Sequence, residues 1–344
     1  MRIYGQVNTL AVWQSGLVML RYEFMKKKGC IAMKKMTLML ISAVLIFSSS
    51  VWGSPLNRAH VPAEAKWLLH VDFDAFGDSE MWGLISQEIS EKDQKKIDAV
   101  ANLFGTDPTK DIYGATIYGE DSQEENAVVM IYGRFDKAKL LSLLVLNEAY
   151  DESEYNGQKL YHWLDEKDNK HKVGTFAKDD LVVISQSEET VWTTVDLLAG
   201  ESNSLADQED APLAKLVEAP ENSFVVMAAD GLAELNKNKD HIEILQNSQM
   251  MAAIVGEDNG DMYLHVDLTA ETNEAAMQIE QVLGGIKAFI ALKNTNEPDI
   301  MSLLQATTLE RNENQLVLSV RYPSAKLFEI IKDKKDYLAE ENDK

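Results

Sequence analysis

The chain is 344 residues long, sets 33 Lys+Arg against 56 Asp+Glu for a formal charge of -23, and is 45% hydrophobic with a single cysteine. This composition excludes a disordered or collagen-like chain, and one cysteine excludes a disulfide-stapled scaffold. The acidity repels phosphate backbones and anionic lipid surfaces, so nucleic acid is not an expected partner.

Residues 1–32 precede Met33, one of three candidate starts with Met1 and Met25, and read as a mis-assigned start rather than as part of the fold. From Met33 the order is that of a signal peptide: Lys34-Lys35, an apolar run over 36–47, then Ser48-Ser49-Ser50-Val51-Trp52-Gly53-Ser54. Val51 and Gly53 supply the small residues before a cut at Ser54, and the apolar run is too short to span a bilayer. The expected location is therefore periplasmic or extracellular, with no later segment reading as a membrane span. Cys30 lies upstream of the cut, so the mature chain lacks both disulfides and a cysteine for lipid attachment. Removing 1–53 takes seven basic residues and one acidic residue, leaving 26 against 55 and a formal charge of -29.

In chain order, alternation predicts strands over 66–73, 112–118, 127–132, 158–164, 172–177 and 181–185. Helical spacing predicts helices over 82–89, 94–104, 137–146 behind an Asp136 cap, and 188–198 behind a Ser187 cap. Gly200, an acidic run and the prolines Pro212 and Pro220 mark 200–222 as a linker. Beyond it, strands are predicted over 223–229, 251–255, 262–269, 307–311 and 316–321, and helices over 240–246, 273–292 and 324–334, with 336–344 a polar tail. Gly284-Gly285 inside the second of these helices reads as a kink or a close backbone contact.

The two halves, 54–199 and 223–335, share an order of strand, helix, strand, turn, strand, helix, further strands and closing helix. Ile117-Tyr118-Gly119-Glu120-Asp121 echoes Ile254-Val255-Gly256-Glu257-Asp258, and Asn259-Gly260 signals a hairpin turn. The expected fold is α+β: two tandem related repeats of mixed or antiparallel sheet with helices packed on one face, with ferredoxin-like elements.

His70, Asp72 and Asp74 alternate along the first strand, which places imidazole and two carboxylates on one face as candidate ligands for a divalent cation. The same alternation is what any half-exposed strand shows. His265 and Asp267 repeat the spacing at a position that is not equivalent in the duplication, and His162 and His171 flank a turn across which two imidazoles can seed a zinc site. Tyr155, Tyr161 and Trp163 offer an aromatic surface for a sugar ring or core packing. Nucleophile-elbow, zinc-protease, phosphate-loop and dinucleotide motifs do not occur in the sequence.

The segment Ala65-Lys66-Trp67-Leu68-Leu69-His70-Val71-Asp72 just after a signal peptide, and the run from helix 273–292 through Leu303-Leu304 to strand 316–321, resemble a class of secreted bacterial α+β proteins with no assigned reaction. The resemblance implies export and fold class and transfers no functional residue. The leading expectation is a secreted, non-enzymatic binding or envelope-associated protein with a protein or glycan partner. A metal-dependent hydrolase built on His70, Asp72 and Asp74 is the alternative, and an acidic structural envelope protein the third. No cofactor is expected beyond that divalent cation.

Overall fold

The computed structural model describes residues 54–232 and 247–342. The signal segment and the predicted helix 240–246 lie outside them. Twelve strands form one sheet: β1 (Trp67–Asp72), β2 (Ile112–Gly119), β3 (Val128–Gly133), β4 (Asp151–Tyr155), β5 (Gln158–Asp165), β6 (Lys170–Lys178), β7 (Leu181–Ser185), β8 (Ser223–Asp230), β9 (Ser248–Asp258), β10 (Asp261–Ala270), β11 (Thr307–Asn312) and β12 (Gln315–Pro323). The helices are α1 (Phe73–Gly77), α2 (Glu80–Gln87), α3 (Glu91–Phe104), α4 (Lys137–Leu144), α5 (Glu188–Ala199), α6 (Pro212–Leu216), α7 (Asn273–Lys293), α8 (Pro298–Gln305) and α9 (Ser324–Asn342).

Every strand pair is antiparallel, in the order β11-β12-β10-β9-β8-β1-β2-β3-β7-β6-β5-β4. The α+β class with antiparallel pairing is thus as the sequence implies. Outward from the central β1–β8 pair the two sides match: β2, β3, β7, β6 on one and β9, β10, β12, β11 on the other. The β4–β5 hairpin extends one side only. The two halves share a single sheet, joined by the register Leu68↔Ala228 and His70↔Val226.

The Gly-Glu-Asp echo has a structural basis. Gly119 pairs with Trp67, the first residue of β1, and Gly256 with Ser223, the first residue of β8. A Cβ on Gly119 would stand 2.7 Å from the Trp67 ring, and one on Gly256 would strike the Tyr263 ring. In both places an aromatic side chain lies across bare backbone, which only glycine permits. Asn259 and Gly260 take φ of 53° and 79°, the left-handed pair that a two-residue hairpin turn needs.

Leu68, His70 and their cross-strand partners define one face; Leu69 and Val71 belong to the other. On the first face, Leu68, Tyr118, Met130, Val183, Val226 and Ala228 pack under Val61, Leu205, Leu213 and Val217, and Leu160 and Val173 pack under Val191 of α5. The segment 200–222 is therefore a packed strap: Leu205 and Ala214 are fully buried and Ser204 bridges Pro62. On the second face, Phe76, Trp82 and Phe328 from α1, α2 and α9 cover Leu69 and Val255, and α7 covers Leu268, Leu309 and Leu316. Helices thus cover different stretches of the two faces. Over β9, β10, β12 and β11 the first face carries no helix among the described residues.

Gly284 and Gly285 do not mark a close contact. α7 continues through them as one helix, and a side chain at either would meet nothing within 4 Å. α9 continues past the predicted end at 334 to Asn342, through most of the expected polar tail.

Candidate functional site

Among the described residues the first face of the second half is left uncovered, as a trough of about 940 Å³. Tyr263, His265 and Asp267 of β10, Ser319 and Arg321 of β12 and Thr308 of β11 line its floor, and Lys215, Glu218 and Asn222 line it from the strap. Alternation builds this surface: Leu264, Val266 and Leu268 turn to the second face, so the residues between them share the first. The register sets His265 opposite Ser319 and Asp267 opposite Val317.

A hydrogen-bonded row crosses the floor. His265 Nδ1 lies 3.1 Å from Ser319 Oγ, and His265 Nε2 lies 3.1 Å from Asp267 Oδ2. With Nε2–H donating to the carboxylate, Nδ1 accepts from the Ser319 hydroxyl. The His265 and Asp267 side chains are 42% and 48% exposed, so the row faces solvent. At one end, Tyr263 donates its hydroxyl to Asn222 Oδ1 at 3.1 Å, and Arg321 lies over the Tyr263 ring at 5.9 Å. The Arg321 guanidinium also pairs with Asp258 at 3.1 Å and Asp261 at 3.8 Å.

The serine–histidine–aspartate order has the parts of a nucleophile and its base. What acyl transfer also requires is a pair of backbone N–H groups directed at the developing oxyanion. β10 and β12 are each paired along both edges, so their backbone donors are committed to the sheet. The row is suited to hydrogen-bonding a bound molecule.

The residues singled out on β1 are placed differently from one another. His70 is 1% exposed and both ring nitrogens have partners: Nδ1 lies 2.9 Å from Thr116 Oγ1, and Nε2 2.9 Å from the Ser54 carbonyl. Burial lowers its pKa to about 4, so the ring is neutral, donating from Nε2 and accepting at Nδ1. Asp72 ends the strand and caps α1, its Oδ1 accepting from Ala75 N at 2.9 Å. Asp74 belongs to α1 and not to the strand, because that cap turns the chain into a helix one residue after Asp72. Burial, with Asp72 and Asp78 nearby, raises the Asp74 pKa to about 6. Among the described residues no group of three or more His, Cys, Asp or Glu is placed to hold a metal ion.

His162 pairs across the ladder with Val173 and His171 with Leu164, so the two imidazoles are offset diagonally. His162 Nε2 instead meets Ser153 Oγ at 2.8 Å. The aromatic residues near β5 are taken up in packing: Tyr155 stacks on Trp192 with ring centroids 5.2 Å apart, Tyr161 is buried edge-on to Phe176, and Trp163 lies over Gly174.

α7 is, among the described residues, the one helix long and apolar enough to cross a membrane by length and composition. Ala275, Ala276 and Ile279 are buried on the sheet, whereas Phe289 is 57% and Leu292 74% exposed.

No protein-family model matches the chain, and no curated protein does. Solved structures of TP0453 are similar to it. Crystal form III aligns with a TM-score of 0.45 at 10% identity over 81% of this chain and 99% of that one. Crystal form I aligns with a TM-score of 0.45 at 11% identity over 81% and 98%.

Proposed function

We propose that the chain is an exported, non-enzymatic binding protein that takes an extended polar ligand, a glycan or peptide segment of the cell envelope, into the trough on β9–β12. The observation that carries this reading is the first face of β9–β12, which is bare among the described residues. Its hydrogen-bonding floor of His265, Asp267, Ser319 and Thr308 faces solvent beside Tyr263 and the strap. Acidic groups slightly outnumber basic ones there, with Glu218, Asp258 and Asp267 against Lys215 and Arg321, which suits a neutral ligand better than a phosphate. Export rests on the order of residues 34–54, and the signal-cleaved chain is the form that would meet envelope components.

A ligand that prefers the native state raises its apparent stability. Thermal unfolding with peptidoglycan fragments, neutral oligosaccharides and neutral peptides is expected to show a rise for one class, lost in His265→Ala and Ser319→Ala. No rise with any of the three, or an equal rise in both variants, would refute the trough as the binding site.

A further inference from the structure

Ser54, the first residue of the expected mature chain, is held at both backbone polar groups. Its N–H hydrogen-bonds the Asp72 carboxylate. Its carbonyl accepts from His70 Nε2 at 2.9 Å. Its side chain lies over Gly114, where an added Cβ would come within 3.0 Å of the Ser54 hydroxyl oxygen. The residues that follow are fixed too: Leu56 packs against the central cluster, Asn57 caps a short turn, and Val61 is fully buried.

The carboxylates around this point outnumber the cations: Arg134 stands near Asp74 and is itself paired with Asp111. Asp72 and Asp74 are buried, each stands near Asp78, and neither forms an ion pair with a lysine or arginine among the described residues. Burying a carboxylate is costly even where backbone N–H groups bond it, as Ala75 N bonds Asp72, because an amide N–H brings no net charge. Hydrolysis of the Gly53–Ser54 bond by a signal peptidase changes that donor. Water adds across the amide, the carboxylate leaves on Gly53, and Ser54 keeps an α-amine that is protonated near neutral pH.

We propose that signal cleavage before Ser54 completes the fold, by seating the new α-ammonium of Ser54 on the Asp72 carboxylate and adding a positive charge to the Asp72, Asp74 and Asp78 cluster, which Arg134 balances only in part. The inference rests on the export reading above. It makes the precursor the less stable form, which suits a chain that crosses a membrane before it folds. His70 and Gly114 become positioning residues for the terminus, the one holding its carbonyl and the other leaving room for its side chain.

The test uses the processed protein purified from an exporting host, with its start read by intact mass. Acetylation of the α-amine removes the charge. It is expected to lower Tm by about 4 °C or more in the wild type, as loss of a partly buried ion pair should, and to change it far less in Asp72→Asn. Asn retains the cap on α1, and any lysines acetylated alongside are the same in both proteins. The α-amine of the folded wild type is also expected to react several-fold more slowly than that of the urea-unfolded chain. An unchanged Tm in the wild type with an unprotected amine would overturn the proposal. A processed chain that starts elsewhere overturns it while leaving export intact, whereas a chain retained uncleaved in the cytoplasm overturns the export reading as well.

Discussion

Glu257 joins three separate segments of the chain. Its carboxylate accepts from the backbone N–H groups of Glu80 at 2.6 Å and Met81 at 3.0 Å, and from Ser324 Oγ at 2.7 Å. One side chain on β9 therefore holds the first turn of α2 and the start of α9, with its charge at a helix N-terminus. Glu257→Ala is expected to cost about 2 kcal/mol or more in urea unfolding, since each charge-assisted bond contributes more than a neutral one. An effect below about 0.5 kcal/mol would contradict this role. Gly119→Ala is expected to destabilise by about 1–3 kcal/mol, because the Trp67 ring leaves no room for a methyl group. His70 gives a pH dependence of definite sign. Its folded pKa of about 4 lies below the ordinary 6.5, so the unfolded chain binds the proton first. Its contribution is complete above pH 6.5 and is lost as pH falls toward 4, on the order of 2–3 kcal/mol. His60, lowered by burial to about 4, acts in the same direction. Asp74, raised to about 6, acts in the opposite one. Asp72 and Glu120, raised by burial, act with Asp74; urea unfolding of Asp74→Asn at pH 7, 5.5 and 4.5 removes one of the three, and its stability is expected to fall with pH. A rise would contradict the burial argument.

At the scale of elements, the regular strands and capped helices were legible because alternation and caps are local signals. β7 has the predicted bounds, and Asp136 and Ser187 each accept from the backbone N–H three residues on. The misses have physical causes. β4, Asp-Glu-Ser-Glu-Tyr, is polar on both sides at the edge of the sheet and has no alternation to read, although Asn156-Gly157 with φ of 48° and 78° is the turn dipeptide that could have disclosed it. Asp74 was read into a strand because the hydrophobic alternation continues through Phe73, while the Asp72 cap starts a helix there. The site was harder to see than the fold: His265 and Asp267 were legible as a pair on one face, but Ser319 joins them only through the β10–β12 register, 54 residues away in sequence. No residue pattern announces that a strand face is left bare. α7 carries its own prediction. Leu292, 74% exposed, makes its apolar outer side available to other molecules, so Leu292→Lys should leave Tm within about 1–2 °C and reduce co-sedimentation with uncharged lipid vesicles. A large loss of stability would mean that the side chain is covered.

For the whole molecule, the central β1–β8 pair makes one sheet out of two similar halves, and the divergence between them lies in what covers that sheet. The first half closes its first face with α5, Leu56, Val61 and the strap 200–222, while among the described residues the second half leaves its counterpart open. Because Leu68, Val226 and Ala228 share one core, the halves are expected to unfold together, giving a single transition by fluorescence and circular dichroism; two resolved transitions would contradict a shared core. The binding account is tested most directly by the imidazole resonances of the processed protein during titration with peptidoglycan fragments, neutral oligosaccharides and neutral peptides. One of the three is predicted to shift His265 in a saturable way while His70, sealed between Thr116 and Ser54, stays in place. Saturable binding that leaves His265 unmoved, or no binding by any of them, would contradict it.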